Sequence, residues 1–413
     1  MAWYREVDRT QWRILLAAHL GWILDAMCMM MYSFALAQVR AELGLSSAAA
    51  GGLAAAPLVT SAAGGALFGY LADRYGRARA MAWAILAFSV LTGLTATART
   101  PLELMLWRAA AGVGLGGEWA AGSVLVAETW PERHRAKGIG LMQSGWAIGY
   151  IAAALLSAVA LPRFGWRTMF WFGLAPAAVT WWIRRSVPES AEWTRAGDGR
   201  RGTGDREKGR STRGLFGRNL LVLTAMCCFL LFGYWGLFTW IPTYLATPME
   251  RGGAGLSIVK SSAWIVPMQI GAFCGYVLFG FLADRFGRRH AFLWFVLATA
   301  ALVPVYGLLG RSSTILLASG PLLGFFGHGY YSALGVIMAE IFPVAVRSRA
   351  LGICYNTGRA VSALAPVSVG AIADRFGIGA GLGFTSVFFL AGAGLMLLVP
   401  ETGKARRLRA AAS

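Results

Sequence analysis

The sequence predicts an all-α membrane protein of twelve transmembrane helices, arranged as two six-helix bundles in pseudo-twofold relation. Three observations carry that prediction. Of 413 residues, 57% are hydrophobic and only 14% charged, against about 45–50% and 25% in soluble domains. Apolar runs near the spanning length of about 20 residues recur from end to end. A set of short motifs also repeats at an offset of 211 or 212 residues. Together these exclude a disordered chain, a disulfide-stapled secreted domain and an ordinary soluble enzyme, and the runs are too long to be barrel strands.

The spans fall at 14–39, 48–72, 80–98, 102–127, 138–161, 166–183, 220–245, 261–283, 291–309, 315–342, 350–373 and 378–399. An even number leaves both termini on one side. The segments on that side carry 28 of the 38 Lys and Arg, which puts both ends in the cytoplasm of a multi-pass plasma-membrane protein, the inner membrane in a Gram-negative cell. The net charge of +19 then reads as a topology signal and an attraction to anionic lipid, not as a nucleic-acid surface. The first span is too long for a cleavable signal peptide. Cys28, Cys227, Cys228, Cys274 and Cys354 all lie in apolar spans without metal-ligand spacing and read as small packing residues. No metal or other cofactor is expected.

Between spans six and seven, residues 195–214 are rich in Gly, Arg, Ser and Thr with both charge signs interspersed, the composition of a flexible linker. This divides the chain into a bundle at 1–194, a linker at 195–218 and a second bundle at 219–413. The halves share motifs in order. Gly69-Tyr-Leu-Ala-Asp73-Arg74-Tyr-Gly76-Arg77 recurs as Gly280-Phe-Leu-Ala-Asp284-Arg285-Phe-Gly287-Arg288. Glu128-Thr-Trp-Pro131 with Arg135 recurs as Glu340-Ile-Phe-Pro343 with Arg347. Arg163-Phe-Gly165 recurs as Arg375-Phe-Gly377, and Pro188-Glu189-Ser190 as Pro400-Glu401-Thr402. Such an internal duplication predicts two bundles around a central cavity near mid-depth.

The duplicated Gly-x-Leu-Ala-Asp-Arg-x-Gly-Arg loop resembles the hallmark of the major facilitator superfamily, between spans two and three and again between spans eight and nine. Gly21-Trp22-Ile23-Leu24-Asp25-Ala26-Met27, Gly112-Val-Gly114-Leu-Gly116-Gly117-Glu118-Trp119 and Tyr355-Asn356-x-Gly358-Arg359 resemble the proton-coupled metabolite symporters, of the sialic acid, lactate and niacin kind. In that family the repeated loops latch the halves together on the cytoplasmic side. The resemblance thus implies gating roles for Asp73, Arg77, Glu128, Arg135, Asp284, Arg288, Glu340 and Arg347, with Glu128/Arg135 and Glu340/Arg347 as pairs. Relatives carry a second acid three residues after the Asp of span one, where this chain has Cys28.

Charged side chains at mid-bilayer cost roughly 2.5–3.5 kcal/mol each on insertion scales, and four are retained: Asp25, Arg108, Glu118 and Arg359. Structural ion pairs between helices are the plainer reading. The sharper one gives Arg359 and Arg108 to an anionic substrate, because a guanidinium holds a carboxylate through two parallel hydrogen bonds. Gly112 and Gly116 follow Arg108 on one face and would leave room beside it. Burial favours the neutral form of a carboxyl and a nearby cation the charged form, so Asp25 is placed to exchange a proton, with Glu118 the alternative carrier. His328 is either a proton relay or a hydrogen-bonded packing residue. Asn356 and Gln143 are candidate cavity amides. Trp146 and Tyr150 of span five, Tyr234 and Trp235 of span seven, and Tyr330 and Tyr331 of span ten are candidate cavity walls.

The segment Gly112-x-Gly114-x-x-Gly117 matches a dinucleotide fingerprint but lies inside a continuous apolar span, where it reads as close helix packing. No nucleophile with a base, metal cluster or phosphate loop suggests an enzyme. The expected function is a monomeric secondary transporter of a small organic anion, a monocarboxylate or aromatic acid, by proton symport with alternating access. A sugar porter is the alternative, because Pro188-Glu189-Ser190 and Pro400-Glu401-Thr402 resemble that family's signatures. Against it, span seven holds no Gln or Asn to match sugar hydroxyls.

Overall fold

In the computed structural model, residues 3–45, 47–199, 209–246, 248–256, 258–308 and 312–402 are described. Among them there are helices and no strands. The first half comprises α1 (Arg9–Leu43), α2 (Ser47–Tyr75), α3 (Arg77–Thr95), α4 (Pro101–Thr129), α5 (Arg135–Phe172), α6 (Ala175–Ser186) and α7 (Ala191–Gly199). The second comprises α8 (Gly209–Ala246), α9 (Ile258–Phe286), α10 (Arg288–Leu308), α11 (Ser313–Gly329), α12 (Tyr331–Ile341), α13 (Arg347–Val361), α14 (Ala365–Phe376) and α15 (Ile378–Met396).

Ten segments of the described residues are long and apolar enough to cross a bilayer. The two remaining spans, six and eleven, are both interrupted. Span six, 166–183, begins in α5 just after Gly165 (φ 76°) and crosses the break between α5 and α6. Span eleven, 350–373, is α13 and α14 joined through the 3-10 turn Ser362–Leu364, and α13 carries Arg359, which lowers its hydropathy. Span ten breaks at Tyr330 between α11 and α12. The linker reading needs trimming: α7 continues to Gly199 and α8 begins at Gly209, so both flanks of the predicted loop are helical. Residues 200–208 lie outside the described residues.

Four repeated glycines share one backbone requirement. Gly76 and Gly287 (φ 111° and 96°), like Gly165 and Gly377 (φ 76° and 87°), sit where φ is positive, a region that side chains with a Cβ disfavour. Both pairs make the same turn in the two halves, which explains why the motifs repeat.

In the first half α5 packs on α1, and α4 on α2 and α3. In the second α11 packs on α9, while α15 packs on α8 and α10. The halves meet along two seams, α2 with α13 and α5 with α9. Packing glycines line these seams, as expected where helices associate through close backbone approach.

Candidate substrate and coupling site

Asp25 of α1 and Arg359 of α13 meet from opposite halves. Arg359 Nη2 lies 3.9 Å from Asp25 Oδ2, and the side chains are 0% and 1% exposed. That separation is an ion pair beyond hydrogen-bonding range. Neither Asp25 oxygen, and none of the three guanidinium nitrogens of Arg359, has a hydrogen-bond partner among the described residues. A buried pair without supporting hydrogen bonds is a costly arrangement, and its hydrogen-bonding capacity is unused among the described residues. Glu118 of α4 is also fully buried, with both oxygens unpartnered. It rests against the Cα of Gly21, where a Cβ would collide with the carboxylate. Its electrostatic neighbours are Asp25 and Arg359.

The amides around this centre are already partly committed. Asn356 Nδ2 donates to the carbonyls of Gly116 (2.8 Å), in the other half, and Gly352 (3.1 Å), leaving its Oδ1 open. Asn356 therefore offers an acceptor, its amide nitrogen being committed. Gln143 Oε1 accepts from Trp119 Nε1 at 2.9 Å, and its Nε2 stays unpartnered. Trp119 in turn stacks on Tyr355 across the two halves, with ring centroids 3.9 Å apart and an interplanar angle of 22°.

Arg108 sits apart from this cluster. Its guanidinium lies 4.3 Å from the centroid of Tyr32, and its Nε donates to the Leu53 carbonyl at 3.4 Å. Gly112 and Gly116 do not make room for it: a Cβ at Gly112 would meet the backbone of Pro57 (Cα at 2.5 Å) and one at Gly116 the Gly65 amide at 2.6 Å. Their smallness serves the α2–α4 contact, because the glycine face of α4 turns toward α2.

The candidate wall aromatics cluster within each half and touch across the halves at Trp146 and Trp235. Trp146 packs on Trp22 and edge-on against Trp235, with centroids 5.1 and 6.2 Å apart, and Tyr150 meets Phe34 at 6.0 Å. Tyr330 and Tyr331 stack at 4.6 Å, and Tyr234 meets Tyr331 at 5.1 Å. His328 Nδ1 faces the Gly324 carbonyl at 3.1 Å, and its Nε2 faces the Tyr234 hydroxyl at 3.1 Å. Both ring nitrogens are satisfied in the neutral form, as the packing alternative requires.

At the end of the bundle that bears the basic loops, the halves are joined by a charge network. Asp73 accepts from the first backbone amides of α13, Ser348 N at 3.3 Å and Arg349 N at 3.0 Å, where the helix dipole reinforces the contact. Arg77 lies 3.4 Å from Asp73 and 3.2 Å from Glu128 and donates to Val344 O, in the other half, at 2.7 Å. In mirror fashion, Asp284 lies 2.9 Å from Lys137 and 2.7 Å from Arg288, which reaches Glu340 at 3.4 Å. The expected pairs within each half are not what forms. Arg347 binds Glu128 at 2.9 Å, while Arg135 reaches Glu192 at 3.8 Å and has Glu340 as an electrostatic neighbour. Apposition of the halves presents each glutamate to the arginine of the opposite repeat, which proximity along the chain does not reveal.

The family model described as Major Facilitator Superfamily matches residues 18–275 and again 255–413. The chain belongs to the major facilitator superfamily. It is 35% identical to a putative metabolite transport protein of Haemophilus influenzae, over 97% of this chain and 99% of that one. It is 34% identical to a probable 4-methylmuconolactone transporter of Cupriavidus pinatubonensis (97% and 93%) and 32% identical to a cis,cis-muconate transport protein of Acinetobacter baylyi (94% and 95%). Among solved structures it resembles the proton:xylose symporter XylE, with a TM-score of 0.77 at 20% identity, over 95% of this chain and 96% of that one. That likeness supports the twelve-helix fold of the superfamily. This superfamily member is a membrane transporter, not an enzyme.

Several contributors to the network escaped sequence reading. Glu189 Oε1 accepts from Arg77 N (2.7 Å) and Ala78 N (3.2 Å), capping α3, and its repeat mate Glu401 lies 3.7 Å from Arg289. The repetition of Pro-Glu at 188 and 400 was the available signal. Glu192 takes Arg347 at 3.0 Å, and nothing in its local sequence marks it.

Proposed function

We propose that this transporter carries a small organic anion, a monocarboxylate or aromatic acid, together with a proton by alternating access. In this reading it is a monomer in the plasma membrane, with both termini and the charge network on the cytoplasmic side and the two six-helix halves, 1–194 and 219–413, rocking about the segment that joins them. The observation that carries the reading is the buried, unsupported Asp25–Arg359 pair bridging the halves. Leaving either charge alone in the interior would cost about 3–5 kcal/mol. Arg359 is therefore always matched, by Asp25 in the empty site or by a substrate carboxylate in the loaded one. When the carboxylate displaces Asp25, protonation of Asp25 removes the charge that would otherwise be stranded. Glu118, beside both, is the second acid of the relay. Binding of anion and proton is thus mutually dependent, which is the thermodynamic content of symport.

Closure at the network end keeps the empty site from opening inward. Asp73, Arg77, Glu128, Arg135, Asp284, Arg288, Glu340 and Arg347 act there as the gate. The muconate and muconolactone names of two relatives favour organic acids over neutral sugars. The test is uptake by proteoliposomes of carboxylates first selected by ligand-induced thermal shift. A labelled carboxylate should accumulate against its gradient when a proton gradient is imposed. Asp25→Asn should abolish that accumulation and Arg359→Ala should raise the apparent KM. Accumulation of a neutral hexose indifferent to both changes would overturn the reading.

A further inference from the structure

We infer that the organic anion of the reading above, on which this inference rests, is a dicarboxylate rather than a monocarboxylate, held at one end by Arg359 and at the other by Arg108. Asp25, Cys28 and Tyr32 occupy positions i, i+3 and i+7 of α1 and so form a single stripe on one face of that helix. Arg359 stands at the Asp25 end, 3.9 Å from the carboxylate. Arg108 stands at the Tyr32 end, with its guanidinium 4.3 Å from the ring. Cys28, between them, is an electrostatic neighbour of both Asp25 and Arg108, so the two ends of the stripe are linked through it. Two helical turns separate the ends, roughly 10 Å along the axis.

The two cations differ in what answers them. Arg359 has the carboxylate of Asp25. Arg108 is 5% exposed and has no carboxylate within salt-bridge distance among the described residues. Among the described residues its partners are one backbone carbonyl at 3.4 Å and the face of a phenol. A carbonyl dipole and an aromatic quadrupole stabilise a buried guanidinium less than an anion does. The side chain of α1 between the two cations, Cys28, is neutral. A monocarboxylate on Arg359 would leave Arg108 in this condition throughout the cycle. A second carboxylate on the same molecule, two turns away, satisfies it.

The experiment removes the second charge from the ligand and from the protein separately. Wild-type full-length protein is titrated with adipate and with cis,cis-muconate, each against its own monomethyl ester, by thermal shift and by competition with the accumulated carboxylate. The expected result is that the diacids bind more tightly than their half-esters by roughly 10- to 150-fold, the range for a hydrogen-bonded charge contact. In Arg108→Gln the diacid should fall to the half-ester's affinity while the half-ester is unchanged. Arg108→Lys should restore part of the preference. Equal affinity of diacid and half-ester in the wild type, or a preference that survives Arg108→Gln, overturns the dicarboxylate assignment while leaving anion transport standing. Failure of every carboxylate to accumulate, with Arg359→Ala silent, overturns the parent reading instead. The ligand comparison needs no variant, so a misfolded Arg108→Gln still leaves a deciding result.

Discussion

Replacing Gly352 by alanine should push the two halves apart at the network end. Gly352 of α13 faces Gly65 of α2 across the seam, and a Cβ there would contact the Gly65 carbonyl oxygen, with the carbonyl carbon at 2.9 Å and Cα at 3.3 Å. Carbon atoms pack best at about 3.5–4.0 Å, so the helices must separate by about 1 Å locally. One turn along, the 2.8 Å bond from Asn356 Nδ2 to Gly116 O would then stretch past the hydrogen-bonding limit. Overpacking costs about 1–3 kcal/mol and the lost bond about 0.5–1.5 kcal/mol. In the alternating-access cycle proposed above, both penalties vanish once the halves part, so they act on the closed state alone. The closed-to-open ratio should fall by one to three orders of magnitude, at 1.4 kcal/mol per factor of ten. Spin labels on Tyr75→Cys and Phe286→Cys, two exposed positions in opposite halves, in a background lacking the five native cysteines, would report the change by pulsed electron resonance. The distance distribution should move to longer values in Gly352→Ala. Gly394→Ala, where a Cβ meets nothing within 4 Å, should leave it alone. An unchanged distribution in folded Gly352→Ala protein would refute the idea that this seam is closed through backbone proximity.

Three further outcomes follow from the same structure. A double-mutant cycle on Glu128→Gln and Arg347→Ala, read by thermal unfolding in detergent, should give a coupling of about 0.5–3 kcal/mol, because the 2.9 Å pair is largely buried; additivity would remove this bridge from the gate. Trp119→Ala should lose about 3–5 kcal/mol of stability, since it deletes the stack on Tyr355 and the partner of Gln143, and a melting temperature equal to wild type would contradict that. Glu42, beyond the end of the first span, accepts from Arg167 and from Trp166 Nε1, and these donors, Arg167 first, hold its carboxyl below its ordinary 4.5. A depressed folded value stabilises the protein above 4.5 and loses that contribution as pH falls through it. The stability gap between wild type and Glu42→Gln should therefore be full at neutral pH and close under acid, and a gap that widens on acidification would reverse the assignment.

Twelve spans, the duplication and the retention of Asp25, Glu118, Arg108 and Arg359 inside those spans were legible in the chain alone. Hydrophobic length, the positive-inside bias and the cost of burying a charge are local or additive properties, readable residue by residue. The glycines of the repeated loops belong to this class, because a positive φ is a demand on one residue. The partners were a different matter. That Arg359 takes Asp25 while Arg108 faces Tyr32 depends on the rotation of α13 and α4 about their own axes, which packing against neighbours sets and composition does not. The crossed pairing of Glu128 with Arg347, and the recruitment of Glu192 and Lys137, arises only when two similar surfaces are apposed, since each half alone offers the same charges to several mates. Ridges of glycine on α2, α4 and α13 fix those rotations, and a glycine's neighbour in space is set by the whole bundle rather than by its place in the chain.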